Sequence, residues 1–252
     1  MPSDLPLVAL LPHPDDEFAI LPFLSVAQRE GRDLHLVWLT DGAAAGSDPG
    51  RRQAESEGVV GRFGLRPKTM RFIGIERGLP DGYLHEHMDR ALLAVSDVLE
   101  GLPAEVELLL PAWEGGHQDH DAAHALGRAW ARGRSAAMRQ FPAYQGERWG
   151  GPWFEVLAPT TSMQVVAQQR LGLRDSFRLL RTCLGYRSQW RSFLGLLPMA
   201  ALHLVILRRP IVLCAVDPDA PMTRPHAGLL LYERRTRWRW DVVRDALAGY
   251  WS

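Results

Sequence analysis

His13, Asp15 and Asp16 lie within four residues of one another in the stretch Leu11-Pro12-His13-Pro14-Asp15-Asp16-Glu17. One imidazole and two adjacent carboxylates can supply two metal ligands and leave one carboxylate over as a base. Adjacent carboxylates rarely point the same way, so one ligand and one base is a better division than a bidentate pair. A plainer reading of the same residues has Asp15 or Asp16 capping a helix that starts near Glu17, with His13 a satisfied turn residue. The second cluster, His117-Gln118-Asp119-His120, tips the balance, because two groups of histidine and aspartate can converge on one ion from opposite sides of a cleft.

Hydrophobic patterning indicates the elements that must hold these residues. Each cluster follows a short apolar run, residues 7–11 and 106–111, of the length of a buried strand. In open α/β sheets the strand ends are where active sites form. Glu17 to Gln28 reads as a helix that begins late or kinks at Pro22 and stops at Gly31. Leu34 to Leu39 is a second strand, Arg51 to Phe63 an amphipathic helix, Thr69 to Ile73 a third strand, and the stretch up to about Leu99 a further helix. Leu79-Pro80-Asp81-Gly82 is a turn by composition, and His85 and His87, on alternate positions that share no helix face, are expected in solvent. The helix from about Asp119 to Ala131 carries His120 and His124 at i and i+4, a spacing that can bind metal by itself. Before it, Gly115 and Gly116 permit close backbone approach to a ligand. Strand and helix alternating at this length predict a mostly parallel sheet with right-handed crossovers.

The motifs His-Pro-Asp-Asp-Glu at 13–17 and His-x-Asp-His at 117–120 resemble the PIG-L/LmbE-like metal-dependent de-N-acetylases. That family includes the sugar deacetylases of mycothiol, bacillithiol and glycolipid biosynthesis. Leu39-Thr40-Asp41-Gly42 and the pair Arg52 and Glu55 add to the likeness, which fades after about residue 130 except at Tyr186-Arg-Ser188-Gln189, similar to the family's Tyr-x-Ser-Gln segment. The resemblance implies a Rossmann-like three-layer α/β sandwich whose C-terminal elaboration lines the substrate pocket. It implies a single domain over 1–252, with 1–134 as the metal-binding half and 135–252 as the specificity region.

The same resemblance implies the chemistry. His13, Asp16 and His120 would bind Zn²⁺, or another divalent transition metal, and leave a position for water. Asp15, unligated, would be the general base for that water's attack on an amide. His117, protonated and oriented by Asp119, would stabilise the oxyanion and protonate the leaving amine. His226, on a C-terminal loop, is a second candidate for that role, which some family members fill across a subunit contact of a homo-oligomer. His124 would be a neighbour in helix packing. Arg52 and Asp81 would hold sugar hydroxyls, although by spacing alone Arg52 and Glu55 are a surface ion pair and Asp81-Gly82 a good turn. The substrate implied is an N-acylglucosamine-containing sugar or glycoconjugate, with N-acetyl as the default. Gln118 stands where the family usually has Pro, a position that need not touch the metal.

The 252 residues, 46% hydrophobic, can bury a substantial core within one domain. Twenty-nine basic against 29 acidic residues leave no net charge, which argues against a general nucleic-acid binder. Cys183 and Cys214 sit in apolar stretches without Cys-x-x-Cys spacing and are expected as buried thiols. Met1 to Asp4 leads straight into the first strand without a basic and then apolar leader, so a cytoplasmic protein is expected.

Beyond Ser135 the organisation changes. Residues 142–159, with Trp149 and Trp153, are an irregular stretch readable as a pocket wall or as a packed surface loop. Thr160 to Arg181 reads as helix. Phe193 to Leu207 is apolar apart from His203 but too short to span a membrane, which favours a buried helix over a lipid-facing surface. Ile211 to Val216 and Leu229 to Tyr232 are strand-like, and the basic, aromatic segment 234–240 reads as an anion site or a charged edge strand. Two other functions remain open: an amidase of the same fold acting on a thiol conjugate, another non-sugar compound or a longer N-acyl group, and a non-catalytic sugar- or metal-binding module. The latter would have no need of Asp15. A phosphotransferase fits less well, since no Gly-rich loop with Lys follows a strand.

Overall fold

Leu7 to Leu11 are apolar and buried at every position, the pattern of a strand covered on both faces. The computed structural model describes residues 4–43, 46–151 and 153–251. In it β1 (Leu7–Leu11), β2 (Leu34–Trp38), β3 (Thr69–Phe72), β4 (Val106–Pro111) and β5 (Ala136–Phe141) pair in parallel in the order β3-β2-β1-β4-β5. Side chains alternate between two cores: Leu7, Ala9 and Leu11 enter one, Val8 and Leu10 the other. The order reverses between β1 and β4, and the crevice beyond the carboxyl ends of those two strands is the usual ligand site of such sheets. Both motifs issue there.

The helices follow their local signals. After a 3₁₀ turn at Asp16–Ala19, α1 (Leu21–Arg29) begins late enough for Pro22 to sit in its first turn. Asp48 caps α2 (Pro49–Phe63), accepting from the Arg51 N–H at 2.8 Å, and Gly64 closes it at φ 86°. Then come α3 (Ile73–Arg77), α4 (Met88–Val98) and α5 (Gln118–Ala131). Helix α5 is buried almost throughout, and a Cβ on Gly127 would stand 2.1 Å from Leu110 Cδ2, so glycine lets the helix lie close on β4.

The second half departs most from expectation. Strand β5 carries no continuous apolar run and extends the parallel pairing beyond residue 134. A two-residue hairpin, β6 (Tyr144–Gln145) with β7 (Glu155–Val156), lies inside the stretch read as irregular. Residues 160–181 are not one helix: β8 (Val165–Gln169) is an edge strand, and α6 (Leu173–Thr182) starts only after Gly172. Next come α7 (Trp190–Ala201), a π turn at Leu202–Ile206, and β9 (Ile211–Ala215), antiparallel to both β5 and β8. The apolar stretch 193–207 is helical but only half-buried: Phe193, Ala200 and Leu204 enter the core, whereas Leu194, Ile206 and Leu207 face outward. Leu229 to Tyr232 is not a strand but leads into α8 (Leu231–Arg235), followed by α9 (Trp240–Trp251). The basic segment is not an edge strand: Arg234 donates to the carbonyls of Gly146 and Trp149, and Arg235 stacks 4.4 Å from the Phe154 ring. Cys183 and Cys214 are buried thiols. Among the described residues no helix is long and apolar enough to cross a membrane.

Candidate active site

The turn after β1 is built around a strained residue. Asp15 has φ 132°, a region that non-glycine residues enter at a cost on the order of 1–3 kcal/mol. Its N–H donates to Glu17 Oε2 at 3.0 Å, and Glu17, fully buried, also accepts from Trp38 Nε1 and from the Tyr186 hydroxyl, each at 3.0 Å. A buried carboxylate thus fixes the backbone that aims its neighbours. Neither aspartate serves as a simple helix cap. Asp15 Oδ2 lies 2.9 Å from an Arg52 nitrogen, and Asp16 Oδ2 accepts from the His13 N–H at 2.8 Å.

Across the crevice, His117 begins α5 by accepting the Asp119 N–H on Nδ1 at 3.2 Å. His120 then points inward from the first turn, its Nε2 3.2 Å from Asp16 Oδ1, while Asp16 Oδ2 is 3.1 Å from His13 Nδ1. Ligand atoms of His13, Asp16 and His120 lie within 4.8 Å of one another, a group that could hold a metal ion; His13, His117 and Asp119 form an overlapping group. The donor set fits a metal. Both His120 ring nitrogens are buried without a hydrogen bond, the Asp16 contact being close but misdirected for one. Three carboxylates, Asp16, Asp81 and Asp119, surround His13 at 3.1–3.3 Å, a local excess of negative charge that a divalent cation would neutralise.

Burial raises Asp15 to about 7, Arg52 opposing the shift and Asp16 adding to it. Burial, reinforced by the neighbouring His13, pushes His117 down to about 4. Asp81 stays well below the usual carboxylate range despite burial, because His13 lies 3.3 Å away. A cavity of about 200 Å³ opens over these groups. Its floor is His13, Asp15, Asp16, Arg52, Asp81 and His117; its walls include Phe18, Val156, Leu157, Phe193 and Leu196.

Several expected roles are redrawn by this geometry. The Asp119 carboxylate does not orient His117; it accepts from the Gly82 and Leu84 N–H groups at 2.6 and 3.0 Å and faces His13. Burial disfavours the protonated form of His117. His226 does not line the cavity, and its Nδ1 lies 2.8 Å from the Ala227 carbonyl. Arg52 is not in a surface pair with Glu55. It is buried, donates to the Pro14 and Gly42 carbonyls and faces Asp15 and Asp81, whereas Glu55 takes Arg51 and Ser188. His85 is buried edge-on against Trp238 rather than solvated. His124 packs against Trp113 and Trp251, and Trp149 and Trp153 are exposed away from the cavity. Sequence reasoning missed the role of Glu17, the last of three consecutive acidic residues and the one directly ahead of an apolar run. It also missed Tyr144, which lines the cavity with its ring centroid 5.1 Å from that of His120 but follows a strand that patterning did not reveal.

Fold and site together define a Rossmann-like α/β protein with a candidate metal centre at the reversal point of its sheet. Residues 8–131 match the PIG-L family model, described as GlcNAc-PI de-N-acetylase, and are a PIG-L family domain. No curated protein matches the sequence. Solved structures with similar folds include a conserved protein from Thermus thermophilus, 19% identical with a TM-score of 0.53 over 86% of this chain and 97% of that one. The A40926 pseudoaglycone deacetylase is 14% identical with a TM-score of 0.58 over 86% and 99%. A teicoplanin deacetylase solved in a zinc-inhibited form is 14% identical with a TM-score of 0.60 over 85% and 99%. At such identities the likeness shows the fold alone.

Proposed function

We propose that this protein is a metal-dependent hydrolase that removes an N-acetyl or other N-acyl group from an N-acylglucosamine-containing sugar or glycoconjugate. The observation that carries the reading is the convergence of His13, Asp16 and His120, with His13 and Asp16 lining one cavity beside the Asp15 carboxylate, which stands outside that group. The PIG-L match over residues 8–131 supports the substrate class. His13, Asp16 and His120 would hold Zn²⁺ or a similar divalent ion, which when bound polarises an amide carbonyl and brings the pKa of water from about 15.7 toward roughly 7.

The chain's own residues do the rest. Asp15, poised near neutrality, takes the proton of the attacking water. Arg52, 2.9 Å from Asp15, keeps that carboxylate aimed into the cavity. Because His117 Nδ1 accepts a backbone N–H, the ring's proton sits on Nε2, which donates to the oxyanion as the carbonyl becomes tetrahedral. The proton gathered on Asp15 then passes to the departing amine. Asp119 holds His13 and the Gly82–Leu84 backbone in place, and Asp81 faces sugar hydroxyls across the cavity.

The decisive experiment measures free amine released from a panel of N-acyl glucosamine compounds by metal-stripped protein. Zn²⁺, Co²⁺ or Fe²⁺ is added back, zinc also in excess, and His120→Ala is run alongside. Metal-dependent release lost in the variant supports the reading. Tight metal binding through His120 with no amine released from any compound would overturn it in favour of a binding module.

A further inference from the structure

The stretch from Arg170 to Leu194 differs from the rest of the chain in charge and in surface. It carries six arginines, Arg170, Arg174, Arg178, Arg181, Arg187 and Arg191, against one carboxylate, Asp175, in a chain of zero net charge. Among the described residues none of the six is ion-paired. Arg178 instead lies over the Phe63 ring and Arg191 over that of Trp190. The same short stretch holds five exposed large hydrophobic residues: Leu173, Phe177, Leu184, Trp190 and Leu194.

These are not scattered. Leu173, Phe177, Arg181 and Leu184 follow at i, i+4, i+8 and i+11 along α6 and the turn after it, while Ser176, Leu179, Leu180 and Cys183 are buried beneath. Leu184 (66% exposed), Arg187, Trp190 (57%) and Leu194 (66%) then share one groove on the outer side of α7. A stable soluble surface seldom gathers Trp, Leu and Phe among unpaired arginines. Such a mixture suits the boundary between lipid headgroups and acyl chains, where apolar side chains insert and cations meet anionic headgroups.

We propose that this face seats the protein on an anionic phospholipid surface. A second copy of the chain would satisfy the apolar side chains but would set one positive surplus against another. A nucleic acid would satisfy the arginines but has no need of exposed leucines. Phe193 lines both the outer groove and the catalytic cavity, so a protein seated this way opens its cavity at the lipid boundary. The inference stands independently of the hydrolase reading.

The test is co-sedimentation of the full chain with vesicles of phosphatidylcholine alone or with about three parts in ten phosphatidylglycerol, in low and high salt. Binding at least about tenfold stronger to the anionic vesicles, and lost in high salt, is expected. Arg174→Glu with Arg181→Glu and Arg187→Glu should abolish it, and Leu184→Ser with Trp190→Ser should weaken it. Circular dichroism checks that the variants stay folded. Equal affinity for both vesicle types, or binding unaffected by the charge reversals, would overturn the proposal. So would a concentration-dependent dimer, seen by analytical ultracentrifugation and lost in the Leu184 and Trp190 variant, from a protein that ignores vesicles.

Discussion

Asp15 combines a backbone angle that resists its side chain with a carboxyl raised to about 7 by burial, and both features have measurable consequences. Asp15→Asn keeps the ligand set, so metal affinity should persist while turnover falls by about a hundred- to ten-thousand-fold. Equal turnover would show that the base lies elsewhere. Because a base acts only when ionised, kcat should decline as pH drops through about 7; a flat profile across that range would disprove the assignment. A different pair of carboxylates bears on stability. Burial raises Glu114 and Asp121 to about 8, and one oxygen of each has no partner, as suits a protonated acid. The folded chain therefore binds these protons more tightly than the unfolded chain does. Their stabilising contribution is complete below the ordinary values, 4.5 for Glu114 and 3.8 for Asp121, and lost as pH rises through about 8. Thermal melts should show Tm falling over that interval. Glu114→Gln keeps the oxygen that accepts from the Ala143 and Tyr144 N–H groups and should flatten the fall.

The two halves are fastened where Tyr186 reaches Glu17, and where Ser188, just behind it, reaches Glu55. Tyr186→Phe leaves a buried carboxylate oxygen short of a donor. A cost of about 1–3 kcal/mol, read by denaturant unfolding, is expected together with a drop in kcat larger than any change in KM. Gly116 is a second fixed point: a Cβ there would stand 1.9 Å from the Tyr144 carbonyl oxygen. Gly116→Ala should displace the loop that delivers His117 and weaken metal binding in calorimetry. Strands β1, β2, β4 and β9 were legible in the sequence because they are apolar runs, or nearly so. Strands β5 and β8 were not, because their faces are partly exposed and Arg139, Gln140, Gln168 and Gln169 break the pattern. The ligand cluster was legible because its residues adjoin strand ends. Arg52, Asp119 and Glu17 were misjudged or missed because their roles depend on partners distant in sequence, which spacing cannot reveal.

A metal that binds only the folded chain stabilises it by mass action, about 2.7 kcal/mol at a hundred times its dissociation constant. For a chain of this length that is a Tm rise of roughly 5–10 °C. Adding Zn²⁺ to stripped protein should produce it, and His120→Ala should abolish it; superimposed melts with and without metal would sink the assigned ligand set. The cavity itself is drawn from two parts of the chain. The groups proposed to meet the amide lie between residues 13 and 120, whereas the apolar walls come largely from residues 143–196. Selection can therefore act on what is recognised almost separately from what is done to it. A lineage could exchange one conjugate for another through changes in the β6–β7 hairpin and α7 while the strained turn and its proton stay as they are. Tyr186, which crosses from one part to the other, would have to be inherited with both.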